Sequence, residues 1–159
     1  MQPAPSLDPK RPTRWKTRNT DLGVDFLAPS FSDEEDPVCL TALDDWAQGL
    51  HFLNFLIAEP IQAVALYLDG ILVQVPRPER YAIHKLILAQ RRYKANRIKA
   101  RKDLDQARDL IEIMAVDRPD DLEDAYLTAM EIGPAWREAL SKSLKSRDEI
   151  RTLVPFVKG

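Results

Sequence analysis

Lys85, Arg92 and Lys99 recur every seven residues, inside a stretch from Arg80 to Lys102 that contains no acidic residue. Residues seven apart share one face of a continuous helix. Arg91, Arg101 and Lys102 widen that face, so the spacing predicts a basic strip able to contact phosphates with salt-sensitive, sequence-independent affinity. The only Asp-x-Asp is Asp103-Leu104-Asp105. It falls in a helical pattern, where residues two apart point to different sides and cannot clamp one pair of metal ions. Lys99–Asp103 and Arg101–Asp105 are instead at the i,i+4 spacing of solvated helix-surface pairs.

Other chemistry has little support. His51 and His84 are the only histidines, and neither stands at a zinc-ligand spacing from a Cys, Asp or Glu. Cys39 is alone, which excludes an intrachain disulfide and fits a reducing, cytoplasmic setting. At its head of an apolar segment it reads as a small hydrophobe rather than a nucleophile. Neither a secretory leader nor a bilayer-length apolar run is present, so no membrane insertion is expected.

The elements that must position the basic residues follow from periodicity. Residues 1–20 are rich in proline and cations and read as a flexible arm. Leu22, Val24 and Phe26 alternate with Gly23, Asp25 and Leu27, a strand pattern that ends at Pro29. After the acidic loop 30–37, Leu40, Leu43, Ala47, Leu50 and Leu53 stand at helical spacing, with Gly49 as a weak point. Ile61 to Leu68 and Ile71 to Val75 flank Asp69-Gly70, which predicts a hairpin closed by a two-residue turn.

Beyond Pro78 the period is helical throughout. Ala82, Leu86, Ala89 and Tyr93 form one stripe; Ala100, Leu104, Ala107, Ile111 and Met114 form a second, with a break near Asn96 between them. A third helix over Leu122 to Ala129 opens at Asp120 or Asp121 and closes at Gly133-Pro134, and Trp136 to Leu144 makes a fourth. The expected fold class is α+β, with residues 21–78 as a small antiparallel sheet carrying one helix and 79–154 as a helical bundle packed on it.

Three stretches carry a family resemblance. Gly23-Val24-Asp25-Phe26-Leu27-Ala28-Pro29, the run from Val73 to Leu86 (Val-Gln-Val-Pro-Arg-Pro-Glu-Arg-Tyr-Ala-Ile-His-Lys-Leu), and the run from Lys99 to Ala107 (Lys-Ala-Arg-Lys-Asp-Leu-Asp-Gln-Ala) resemble an uncharacterised bacterial family of nucleotidyltransferase-fold proteins. More distantly they are similar to the abortive-infection toxin nucleotidyltransferases of the polymerase-β-like superfamily. The resemblance implies nucleotidyl transfer from an NTP with Mg2+. Asp25 would be the third, metal-binding carboxylate, Lys85 the helical lysine that reaches the phosphates, and Asp103 the aspartate of the following helix. Gln106 stands where the toxins carry a second aspartate.

The sequence also departs from that pattern. No glycine is followed by Ser or Gly, so the phosphate-cradling loop is missing, and no strand carries the paired Asp-x-Asp. The expectation is therefore the C-terminal part of a nucleotidyltransferase-like protein, inactive alone, in which Lys85, Arg92, Lys99 and Lys102 would contact phosphate. The alternative is a module that binds nucleic acid or a partner protein through the basic helix 80–102. An open sheet edge would further suit a second copy or a partner chain.

Overall fold

The computed structural model describes residues 2–4, 8–20, 22–31 and 35–156. Asp33 and Glu34 of the acidic loop lie outside the described residues, as do Met1 and residues 5–7 of the expected arm. The chain divides into two compact units, Met1–Asn54 and Phe55–Gly159.

In the first unit, β1 (Gln2–Pro3), β2 (Arg14–Lys16) and β3 (Gly23–Asp25) form an antiparallel sheet in that order. Trp15 pairs with Val24 and Arg14 with Asp25. Thus the proline-rich segment expected to be an arm supplies two short strands, β1 pairing with β2 and β2 in turn with β3, so that their backbone donors and acceptors find partners. A second sheet has the order β4 (Leu27–Pro29), β6 (Asp45–Leu50), β5 (Pro37–Leu40), with β4 parallel and β5 antiparallel to β6.

The helical spacing from Leu40 to Leu53, which predicts helix over some of residues 40–57, holds only at the end of that range. Its first two-thirds form the β5–β6 hairpin, turned by residues 41–44, and only α1 (Leu53–Ile57) is helical. Cross-strand pairing of Val38 with Ala47 and Cys39 with Trp46 overrides the helical spacing of the leucines. Gly49 belongs to this arrangement: a Cβ there would collide with the Asp36 carbonyl oxygen.

In the second unit β7 (Ile61–Ala65) pairs antiparallel with β8 (Ile71–Val75), as the apolar runs predict. The turn is longer than expected. Residues 66–70 form it, with Leu68 at φ 50° and Gly70 at φ 86°, and the Gly70 amide donates to Tyr67 O at 3.0 Å. Leu66, Leu68 and Leu72 on this hairpin are largely exposed.

Five helices follow: α2 (Pro78–Arg92), α3 (Arg97–Asp117), α4 (Pro119–Ile132), α5 (Pro134–Lys145) and α6 (Asp148–Leu153). The α+β class and the helical C-terminal part are as the periodicity indicates. The break near Asn96 is real: Asn96 caps α3, its side chain accepting from the Lys99 amide at 2.9 Å. Pro119 and Pro134 begin α4 and α5, where a missing amide costs nothing. Asp120 and Asp121 sit in the first turn of α4, which begins at Pro119, just before the expected opening.

α2 is the central helix, packing on α3, α5 and α4. Its buried face, including Ala82, Ile83, Leu86 and Ile87, meets Ile111, Leu122 and Leu140, which are themselves fully enclosed. Ser143 stitches α5 to α2. Its hydroxyl donates to Leu86 O at 2.6 Å and accepts from Gln90 Nε2 at 2.9 Å.

Candidate functional site

The four residues between α2 and α3 make a tight helical hairpin, so residues on the facing surfaces meet in pairs. On α2, Lys85 and Arg92 are two helical turns apart, about 10 Å along the axis. Asp103 of α3 sits between them. Lys85 Nζ donates to Asp103 Oδ1 at 2.8 Å, and Arg92 Nη1 donates to Oδ2 at 2.7 Å. The Asp103 side chain is 3% exposed, and Lys85 is 14% exposed. Asp103 is therefore no solvated i,i+4 partner of Lys99, as the spacing alone suggested. It is the buried anion that holds two helices together, with each oxygen matched to a cation.

Above this cluster opens a cavity of about 310 Å³ lined by Tyr81, Lys85, Arg92, Lys99, Lys102, Asp103 and Gln106. The helical register explains the set. Lys99, Asp103 and Gln106 lie at i, i+4 and i+7 on α3, Lys102 is beside them, and Tyr81 is four residues before Lys85 on α2. Lys85 Nζ is 5.0 Å from the centre of the Tyr81 ring. Four cations against one carboxylate leave the lining at net +3. Among the described residues no ion pair engages Lys99 or Lys102, so these two can meet an incoming anion while Lys85 and Arg92 stay anchored.

Two polar atoms at this place lack partners: Gln106 Oε1 and His84 Nδ1, both buried. Burial, and then the neighbouring Lys85, push the His84 imidazole down to about 4; Asp103 opposes this and Arg92 adds to it. His84 is thus neutral near pH 7.

The remaining expected residues sit differently. Asp25 lies in the first unit, half exposed, and pairs across the sheet with Arg14 Nε at 3.3 Å. Asp105 turns away from Asp103, binding Arg147 of α6 at 2.8 Å and reaching Arg101 at 4.0 Å. The two aspartates of the Asp-x-Asp therefore serve separate partners. Arg80, read as part of the basic strip, instead covers the Phe55 ring and pairs with Glu59 at 3.1 Å.

Magnesium, which the resemblance implies, does not fit the carboxylates in their present pairing. Both oxygens of Asp103 are taken by cations, Asp25 is paired with Arg14, and among the described residues no group of three or more His, Cys, Asp or Glu is placed to hold a metal ion. Tyr81 lining the cavity and the enclosure of His84 are not evident from the sequence, and Gln106 stands out there only as a departure from the toxin pattern. The i, i+4 relation of Tyr81 to Lys85 was the available sign.

Fold and site together define an α+β protein with a basic cavity between two helices. Residues 1–131 match the family described as Nucleotidyltransferase, and the chain belongs to that family. Comparison with curated proteins and with solved structures gave no match.

Proposed function

We propose that the chain binds the polyphosphate of a nucleoside triphosphate in the α2–α3 cavity and that it does not, unaided, transfer the nucleotidyl group. One observation carries the reading. Asp103 pre-orders Lys85 and Arg92, while Lys99 and Lys102 line the same cavity with no ion pair among the described residues. A phosphate chain entering there meets fixed donors and two uncommitted ammonium groups, a low-reorganisation way to hold a dispersed negative charge. Lys85 and Asp103, the two helical residues the resemblance assigns to the nucleotide site, are in direct contact. Membership of a nucleotidyltransferase family supports a nucleotide as the class of ligand.

The second half of the proposal rests on the carboxylates. Two-metal phosphoryl transfer needs acids converging on ions about 4 Å apart. Asp103 and Asp105 diverge, and the sequence offers no Gly-Ser loop to cradle the phosphates. This chain would then bind the nucleotide through side chains and leave the metal-dependent step to carboxylates supplied elsewhere.

The test is calorimetric titration of NTP into the chain, beside a label-transfer assay with magnesium. Binding of triphosphate but not nucleoside is expected. It should weaken about tenfold when Lys99→Ala and Lys102→Ala are combined, and should fall with salt. No triphosphate binding, or binding indifferent to both lysines, refutes the site. Transfer of label by the chain alone refutes its inactivity. Preference for an oligonucleotide over NTP would instead favour a nucleic-acid module.

A further inference from the structure

The β7–β8 hairpin is the least supported element of the second unit. Its strands pair only with each other among the described residues, and neither packs more than marginally on a helix. A lone two-stranded hairpin is marginally stable at best in water, and a further strand or an apolar cover is what holds one.

The pleat sorts its side chains. Register sets Ile61 opposite Val75 and Ala63 opposite Val73 on one face, and these four are half-buried. The other face carries Gln62 opposite Gln74 and Val64 opposite Leu72, all four exposed. The turn extends that apolar surface, with Leu66 98% and Leu68 89% exposed and Tyr67 between them open as well. Together Val64, Leu66, Tyr67, Leu68, Ile71 and Leu72 leave on the order of 800 Å² in water, more than the largest apolar patch of an ordinary monomer and about the share each partner brings to a standard-size interface.

Charge is almost absent from this surface. Between Ile61 and Val75 the only charged side chain is Asp69, in the turn. Edge strands that stay single are guarded by charged side chains or proline; neither β7 nor β8 contains either.

We propose that a second copy of this chain covers the hairpin, the two β7–β8 units meeting about a twofold axis through Val64, Leu66, Leu68 and Leu72. The exposed apolar area is what a stable dimer requires. A surface without charge gives a foreign partner little to recognise, whereas a twofold contact needs only that the same apolar surface meet itself. Closure about the axis covers both hairpins at once, which open stacking of strand on strand does not. The proposal uses no residue of the basic cavity, so it holds or fails independently of nucleotide binding at Lys99 and Lys102.

The experiment is sedimentation velocity of the full chain over a range of micromolar concentrations. A dimer that dissociates on dilution is expected, with amides of β7 and β8 exchanging more slowly in the dimer. Leu66→Lys combined with Leu72→Lys changes only exposed side chains; it should leave the helical melting curve in place and weaken association at least about a hundredfold. Should that chain lose its helical signal, Leu66→Lys alone, at a turn position, carries the comparison. Lys99→Ala with Lys102→Ala should dimerise as the native chain does. A native chain that stays monomeric overturns the proposal and leaves the hairpin to a different protein. A dimer indifferent to the leucine substitutions overturns it too, as does a series of species that grows beyond two copies.

Discussion

A buried aspartate is tolerable only when its oxygens are matched by donors, and Asp103 has one cation on each. The arrangement sets the state of its neighbour. His84 is enclosed on the same helix, is 7% exposed, and faces Lys85 and Arg92 as well as Asp103. With the folded value near 4 against 6.5 for the free side chain, the unfolded chain takes up a proton between those values that the folded chain refuses. The His84 contribution is therefore fully present above pH 6.5 and is lost as the pH falls towards 4. The shift corresponds to a loss of about 3 kcal/mol. Urea unfolding at steps across that window should show a steeper decline for the native chain than for His84→Gln. Parallel curves would mean that His84 is protonated in the folded protein.

At the scale of elements, the α2–α3 hairpin depends on where α3 begins. Asn96 accepts from the Lys99 amide and so fixes the first turn from which Lys99, Lys102 and Asp103 project. Asn96→Ala should cost about 1 kcal/mol of stability, whereas Asn96→Gly should cost only a few tenths. No loss in either variant in denaturant unfolding would show that the cap bond contributes nothing. The same elements show what sequence could and could not give. α2 to α5 were legible because long apolar stripes at a period of 3.6 survive any packing partner, and Pro119, Pro134 and Asn96 punctuate them. β5 and β6 were not, because Leu40, Leu43, Ala47 and Leu50 satisfy a helical spacing while what decides the matter is cross-strand pairing, of β6 with β5 across a short turn and with β4, which spacing does not record. In the site, the seven-residue recurrence of Lys85, Arg92 and Lys99 was visible. That Asp103 would bind across to α2, rather than back along α3 to Lys99, depends on the hairpin crossing and is not encoded in spacing.

For the whole molecule, the two units are unequal in what holds them together. Among the described residues between 1 and 54 the enclosed apolar side chains are Ala4, Ala28, Ala47 and Leu53, three of them single methyl groups, and the strands are two to six residues long. Such short sheets hold mainly by backbone pairing that water can replace. From residue 55 onward, Ile83, Leu86, Ile87, Ile111, Leu122 and Leu140 are almost wholly enclosed among mutually packed helices, and each contributes on the order of 2 kcal/mol by leaving water. Local opening free energies track this difference in enclosed apolar area. Amides of β2 and β3 should therefore exchange with solvent deuterium at least about a hundredfold faster than those in the middle of α2 and α3, a gap of about 3 kcal/mol. Thermal melting followed by exchange should show the first unit opening before the helices lose protection. Equal protection in both would mean that the first 54 residues open only when the helices do, and that their sheets are stabilised by means other than their own enclosed side chains.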